Sequence, residues 1–122
     1  MSFDCVVIGG GAAGMMAAIQ CKENNMQTVI IEHTAKLGTK ILKTGNGKCN
    51  FSNTFMTEEM YQNNNADYAM RIINRFNVDD TIHFFENLSV YKKERNGYLY
   101  PRSEMAASVA LAFTGKIQAL DI

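Results

Sequence analysis

The chain has 122 residues, 47% of them hydrophobic, and its twelve Lys and Arg balance twelve Asp and Glu. That length suits one domain able to bury roughly two thirds of the surface its unfolded chain would expose, while the zero net charge gives no overall attraction to nucleic acid or membrane. No apolar run approaches the roughly 20 residues that cross a bilayer, no basic stretch and apolar run open the chain as a secretory signal would, and Cys5, Cys21 and Cys49 lack paired spacing; the expectation is a cytoplasmic protein with reduced thiols.

"DCVVIG", residues 4–9, is a short apolar run entering glycines, as in a buried strand of a parallel sheet. From Gly11 to Asn24, Ala12, Met15, Met16, Ile19 and Lys22 fall near helical spacing. Asn25 then supplies a left-handed stop. "QTVIIE", 27–32, predicts a second buried strand ending on a carboxylate, which makes residues 4–32 a βαβ unit.

Residues 33–56 carry no sustained periodicity, and so long an irregular connection inside a domain is usually functional. The remaining segment, 57–122, predicts helices over about 66–76 and 78–88, the second starting at Asn77 or Asp79. A small hairpin follows near residues 90–100, turning at Asn96-Gly97 and ending at Pro101. A last helix is expected from a Ser103 cap through Phe113, with Gly115 costing its continuation about 1 kcal/mol relative to alanine. "ALDI" at 119–122 could open a third strand.

Two stretches carry chemistry. In "VVIGGGAAG", Gly9, Gly11 and Gly14 form G-x-G-x-x-G where strand turns into helix. The pattern provides a tight turn, a close approach to a pyrophosphate and close helix packing, with the amides of Gly10, Ala12 and Ala13 at the positive end of the helix dipole. Glu32 ends the second strand, where a carboxylate accepts ribose hydroxyls and disfavours a 2′-phosphate. The alternative is a structural turn and an unrelated surface glutamate.

The second stretch is "TGNGKCNFSN", 44–53. Between Glu32 and Glu58 there is no acidic residue, yet Lys36, Lys40, Lys43 and Lys48 all lie there. Gly45 and Gly47 let backbone approach a ligand, and Asn46 and Asn50 can tie the loop to itself. This is either a local anion site or a solvated lysine-rich loop.

"VVIGGGAAGMMAA", "IIEHTAKLGTKILKTGNGKCNFSN" and "GYLYPRSEMAASV", in this order, resemble the N-terminal part of the aminoacetone-oxidase-like family of NAD(P)/FAD-dependent oxidoreductases, relatives of the glutathione-reductase-type flavoproteins. The family pattern is matched at Gly38, Lys40, Thr44, Gly45, Gly47, Lys48, Cys49, Asn50, Ser52 and Asn53, and again at Tyr100 and Pro101. Lys48 stands where arginine is commoner, which keeps the charge without the planar fork. The resemblance implies an α/β fold: the N-terminal portion of a Rossmann-like, three-layer FAD/NAD(P)-binding domain with a parallel sheet, incomplete because family members are longer. It also implies FAD as cofactor, NAD(P)H as a reductant, and an isoalloxazine near Asn46 to Asn50. The unfinished sheet invites self-association.

Site expectations are therefore Gly9 to Gly14 on the pyrophosphate, Glu32 on the ribose, and Lys40 with Thr44 to Asn50 on the flavin half. His33 could touch adenine or ribose, or be an exposed loop histidine. Cys49 has no second cysteine after it for a dithiol mechanism and is expected to pack, as are Cys5 and Cys21. No Cys/His spacing supports a metal, and "YKKER", 91–95, is expected to be a solvated strand edge with no nucleic-acid partner. No catalytic residue or substrate is assigned. The functional expectation is the FAD-binding segment of a flavin-dependent oxidoreductase, the alternative a truncated non-catalytic nucleotide-binding or association module.

Overall fold

The structure, a computed structural model, describes residues 2–61 and 65–122. Residues 62–64, inside the expected helical and hairpin segment, lie outside the described residues.

Strand β1, Cys5–Ile8, and strand β2, Thr28–Ile31, pair in parallel with Val6 beside Val29 and Ile8 beside Ile31. Helix α1, Ala12–Glu23, crosses between them. Asn25 ends that helix at φ 64°, the left-handed stop the sequence predicts. Met15, Ala18 and Ile19 of α1 are fully buried. Each large apolar side chain so buried contributes roughly 1.5–3 kcal/mol relative to exposure.

Helix α1 covers one face of this sheet. On the other, Val6, Ile8 and Ile31 are 51%, 77% and 55% exposed, so β1 alternates between half-buried and open positions and β2 opens at its last residue, where the sequence predicts burial on both faces. Continuous apolar strands are written for a sheet covered on both sides; among the described residues, only one cover is present.

A 3-10 segment, Ile41–Gly47, breaks at Thr44 to Asn46, within the stretch expected to be irregular. Beyond it a second, antiparallel sheet forms from strand β3, Ser52–Asn53, strand β4, Lys92–Arg95, and strand β5, Tyr98–Pro101, in the order β3-β5-β4. The hairpin turns at Asn96 and Gly97, both left-handed at φ 51° and 83°. Helix α2, Ala66–Ile73, is followed by helix α3, Val78–Asn87, whose start carries a capping box: Asn77 Oδ1 accepts the Asp80 amide while Asp80 Oδ2 accepts the Asn77 amide.

Helix α4, Ala106–Ala119, departs from the sequence expectation at both ends. It begins after Met105; Ser103 lies outside it and accepts the Met105 amide at 3.3 Å. It also runs through Gly115, because Val109, Ala110, Phe113 and Ile117 are buried against α1 and the 41–47 segment, and that packing outweighs the glycine penalty. Residues 120–122 close the helix with a turn, the Ile122 amide donating to the Ile117 carbonyl, and form no third strand.

Candidate functional site

The turn from β1 into α1 is built by contact between backbones. A Cβ on Gly14 would lie 1.9 Å from the Gly9 carbonyl oxygen, so only glycine lets the helix sit this close to the strand. Gly9 itself is left-handed at φ 98°. Gly11 caps α1 with no side-chain bond, and the amides of Gly11, Ala12, Ala13 and Gly14 have no protein acceptor among the described residues. Unpaired N–H groups at the positive end of a helix dipole form an anion-binding surface.

Glu32 is fixed beside this turn. Its Oε2 accepts the Gly10 amide at 2.6 Å and its Oε1 accepts the Thr34 amide at 2.7 Å. The Thr34 amide foremost, then the Gly10 amide, hold its carboxyl at a pKa of about 2 against an ordinary 4.5. The side chain is 14% exposed, with His33 Nδ1 at 3.0 Å from Oε1 and the His33 side chain itself 92% exposed. Oε2, with the Gly10 amide as its one donor among the described residues, keeps a lone pair for a further donor.

The 44–50 loop is held in an uncommon backbone path. Gly45, Asn46, Gly47 and Cys49 have φ of 53°, 52°, 79° and 58°. A Cβ on Gly45 would stand 2.5 Å from the Asn50 amide nitrogen. The Cys49 amide donates to the Thr44 carbonyl at 3.0 Å, and the Thr44 hydroxyl donates to the Ile41 carbonyl at 2.7 Å. Asn50, with its amide oriented to donate, bonds the Leu99 and Ser52 carbonyls at 3.1 and 2.8 Å, fastening the loop to β5.

A cavity of about 330 Å³ joins the two stretches. Its wall holds Ala12, Ala13 and Met16 of α1, Thr44, Cys49 and Asn50 of the loop, and a phenylalanine set including Phe51, Phe84, Phe85 and Phe113. Three of those rings stack around Phe85: Phe51 at 4.9 Å, Phe84 at 5.3 Å and Phe113 at 5.6 Å between centroids. Among the described residues Cys49 is the one titratable group on the wall, and burial pushes its thiol above the ordinary range. No described side chain lining the cavity is poised to exchange a proton near neutrality.

The structure thus brings Ala12, Ala13, Thr44, Cys49 and Asn50 to one cavity; Gly9, Gly10, Gly11, Gly14 and Glu32 at the turn, and His33, Lys40, Gly45, Asn46, Gly47 and Lys48, lie outside its lining. Lys36, Lys40 and Lys43 are exposed and have no carboxylate within ion-pair distance among the described residues. Lys48 lies within electrostatic reach of Glu104, whose ion pairs are with Lys93 at 2.7 Å and with Arg95. Sequence reasoning missed the aromatic wall. Its signal was available in α3, where Thr81, Phe84 and Phe85 fall at i, i+3 and i+4 on one face. His83, one position away, is exposed.

No group of three or more His, Cys, Asp or Glu among the described residues could hold a metal ion. No described helix is long and apolar enough to cross a membrane.

Residues 3–122 match the HI0933-like protein Rossmann domain. The chain is 41% identical over 105 residues to the 3-dehydro-bile acid delta(4,6)-reductase of Clostridium scindens, covering 84% of this chain and 26% of that protein. It is 34% identical over 80 residues to the ribosomal RNA dihydrouridine synthase of Escherichia coli K12, covering 66% of this chain and 20% of that protein. A shorter likeness, 43% over 42 residues, is to the dihydrolipoyl dehydrogenase of Buchnera aphidicola, covering 34% of this chain and 9% of that protein. The chain therefore spans 26% and 20% of the first two of these relatives.

Proposed function

The chain belongs to the HI0933-like Rossmann-domain family, and on that footing we propose that it forms the FAD-binding N-terminal part of a flavin-dependent oxidoreductase resembling the aminoacetone-oxidase-like proteins. The observation that carries this reading is the pairing of free amides at Gly11 to Gly14 with a carboxylate anchored by the neighbouring Gly10 amide. A diphosphate bridge fits the first, and the hydroxyls of a ribose fit the second.

In this reading the α1 amides and the dipole behind them neutralise the pyrophosphate. Glu32, ionised across the physiological range, accepts from the adenosine ribose and by its charge disfavours a 2′-phosphate there. The aromatic cavity takes a flat ring and excludes water from it, with Thr44 and Asn50 fixing the loop that forms its rim. The unpaired lysines of the 36–43 stretch raise the local potential for an anion. Bound FAD would supply the two-electron chemistry that the cavity's own side chains lack. NAD(P)H is the proposed reductant. The relatives' names span a reductase of a bile-acid derivative and a synthase of a modified ribosomal RNA base, so the substrate is left to the rest of the site.

FAD titration followed by quenching of flavin fluorescence tests the proposal, on this chain and on any longer product of its reading frame. Saturable binding that ADP competes away is expected. A protein that takes up no FAD in either form, even on reconstitution, removes the reading.

A second reading, a non-catalytic nucleotide-binding or association module, is favoured by the open apolar face at Val6, Ile8 and Ile31. NAD(P)H oxidation with added FAD and an electron acceptor separates the two: turnover by this chain alone rejects the module.

A further inference from the structure

Away from the nucleotide site, two nucleophilic side chains face one another across packed elements. Cys5 shares the helix-facing side of β1 with Val7, the two half-buried positions of that strand. Helix α1 crosses Val7 at Gly14, where a Cβ would lie 3.3 Å from Val7 Cγ1. Cys21 follows Gly14 by seven residues, two turns along the same side of the helix, as α1 runs back toward the start of β1. Backbone bonds fix the approach from both sides: the Met26 amide donates to the Cys21 carbonyl at 3.1 Å, and the Cys5 amide donates to the next residue's carbonyl, Gln27, also at 3.1 Å. These contacts make Cys5 and Cys21 neighbours across the strand and the helix, and the nearby Cys21 raises the Cys5 thiol above its ordinary range. Both are free and half-buried, whereas Cys49 is buried in the cavity wall.

We propose that Cys5 and Cys21 form a thiol pair that closes to an internal disulfide under a small disulfide oxidant such as glutathione disulfide. The inference does not depend on nucleotide binding. The Cys21 thiolate attacks one sulfur of the oxidant, forming a mixed disulfide and expelling one glutathione thiolate. Cys5, whose thiol is harder to ionise beside Cys21, then attacks the Cys21 sulfur and expels the second. Two protein thiols are oxidised, one oxidant disulfide is reduced to two glutathione molecules, and the two protons pass to the leaving thiolates. The product ties the first residue of β1 to the last turns of α1.

The test uses the chain as it is, with glutathione disulfide as probe. No Lys or Arg precedes Lys22, so one tryptic peptide, residues 1–22, contains both cysteines. The expected result is loss of two hydrogens from that peptide, Cys49 remaining alkylatable after unfolding, and faster closure in the folded chain than in the same chain held in urea. Cys5→Ser and Cys21→Ser each stop at a glutathione adduct or an unmodified thiol. A wild-type chain that accumulates glutathionylated peptide without closing, joins Cys49 or a second chain instead, or closes no faster when folded overturns the proposal.

Discussion

A side chain on Gly14 would begin 1.9 Å from the carbonyl oxygen of Gly9, and that oxygen belongs to backbone that cannot swing away. Gly14→Ala should therefore force α1 off β1 and destabilise the fold by about 1–3 kcal/mol or more, as overpacking does. Gly11 is the matched control, since nothing lies within 4 Å of a Cβ there and its φ of −76° suits any residue. Gly11→Ala should cost well under about 2 kcal/mol in urea unfolding while weakening FAD binding.

Glu32 links stability to pH. Its folded pKa of about 2 lies below the ordinary 4.5, so the unfolded chain binds more protons between those values. The stabilisation is complete above pH 4.5 and is lost as pH falls toward 2. Melting temperatures of the wild type and Glu32→Gln should differ at neutral pH and converge through that window. A constant difference down to pH 2 would mean the carboxylate is not held as described.

Glu104 joins the hairpin to the start of α4 through Lys93 and Arg95, and their contacts, the Lys93 hydrogen bond first, hold its carboxyl below the ordinary range. All three side chains reach solvent, so the effect is open to screening. Glu104→Gln should lower the melting temperature at low ionic strength, with most of the loss gone in molar salt.

Gly115 sits inside α4 with open space where a Cβ would point. Gly115→Ala should stabilise the chain by about 0.5–1 kcal/mol in denaturant unfolding, through helix propensity alone.

What could be read in the sequence was local. The glycine turn, the left-handed Asn25, the Asn77 cap and the Asn96-Gly97 hairpin each follow from the conformational freedom of a few neighbouring residues, and each is present. The missed features depend on partners far along the chain. Helix α4 runs through Gly115 because Phe113 and Ile117 are buried on either side of it. Two-residue β3 exists because the Phe51 and Thr54 amides find the Leu99 and Gly97 carbonyls of the hairpin. The cavity gathers α1, the 44–50 loop, α3 and α4, and no single window of sequence spans that set. Ser103 shows the converse error: a good capping residue that lies outside the helix, where it bonds the Met105 amide and the Ser108 hydroxyl instead.

Ile8, 77% exposed, is the last residue of β1 and is bonded covalently to Gly9, where the turn toward α1 begins. Whatever shields Ile8 from water therefore acts one peptide unit from the amides offered to the nucleotide. If such shielding strengthens nucleotide affinity by some factor, thermodynamic reciprocity requires the nucleotide to strengthen the shielding by the same factor. Where the shield is a second copy of the chain, dilution of the protein would register as cofactor loss.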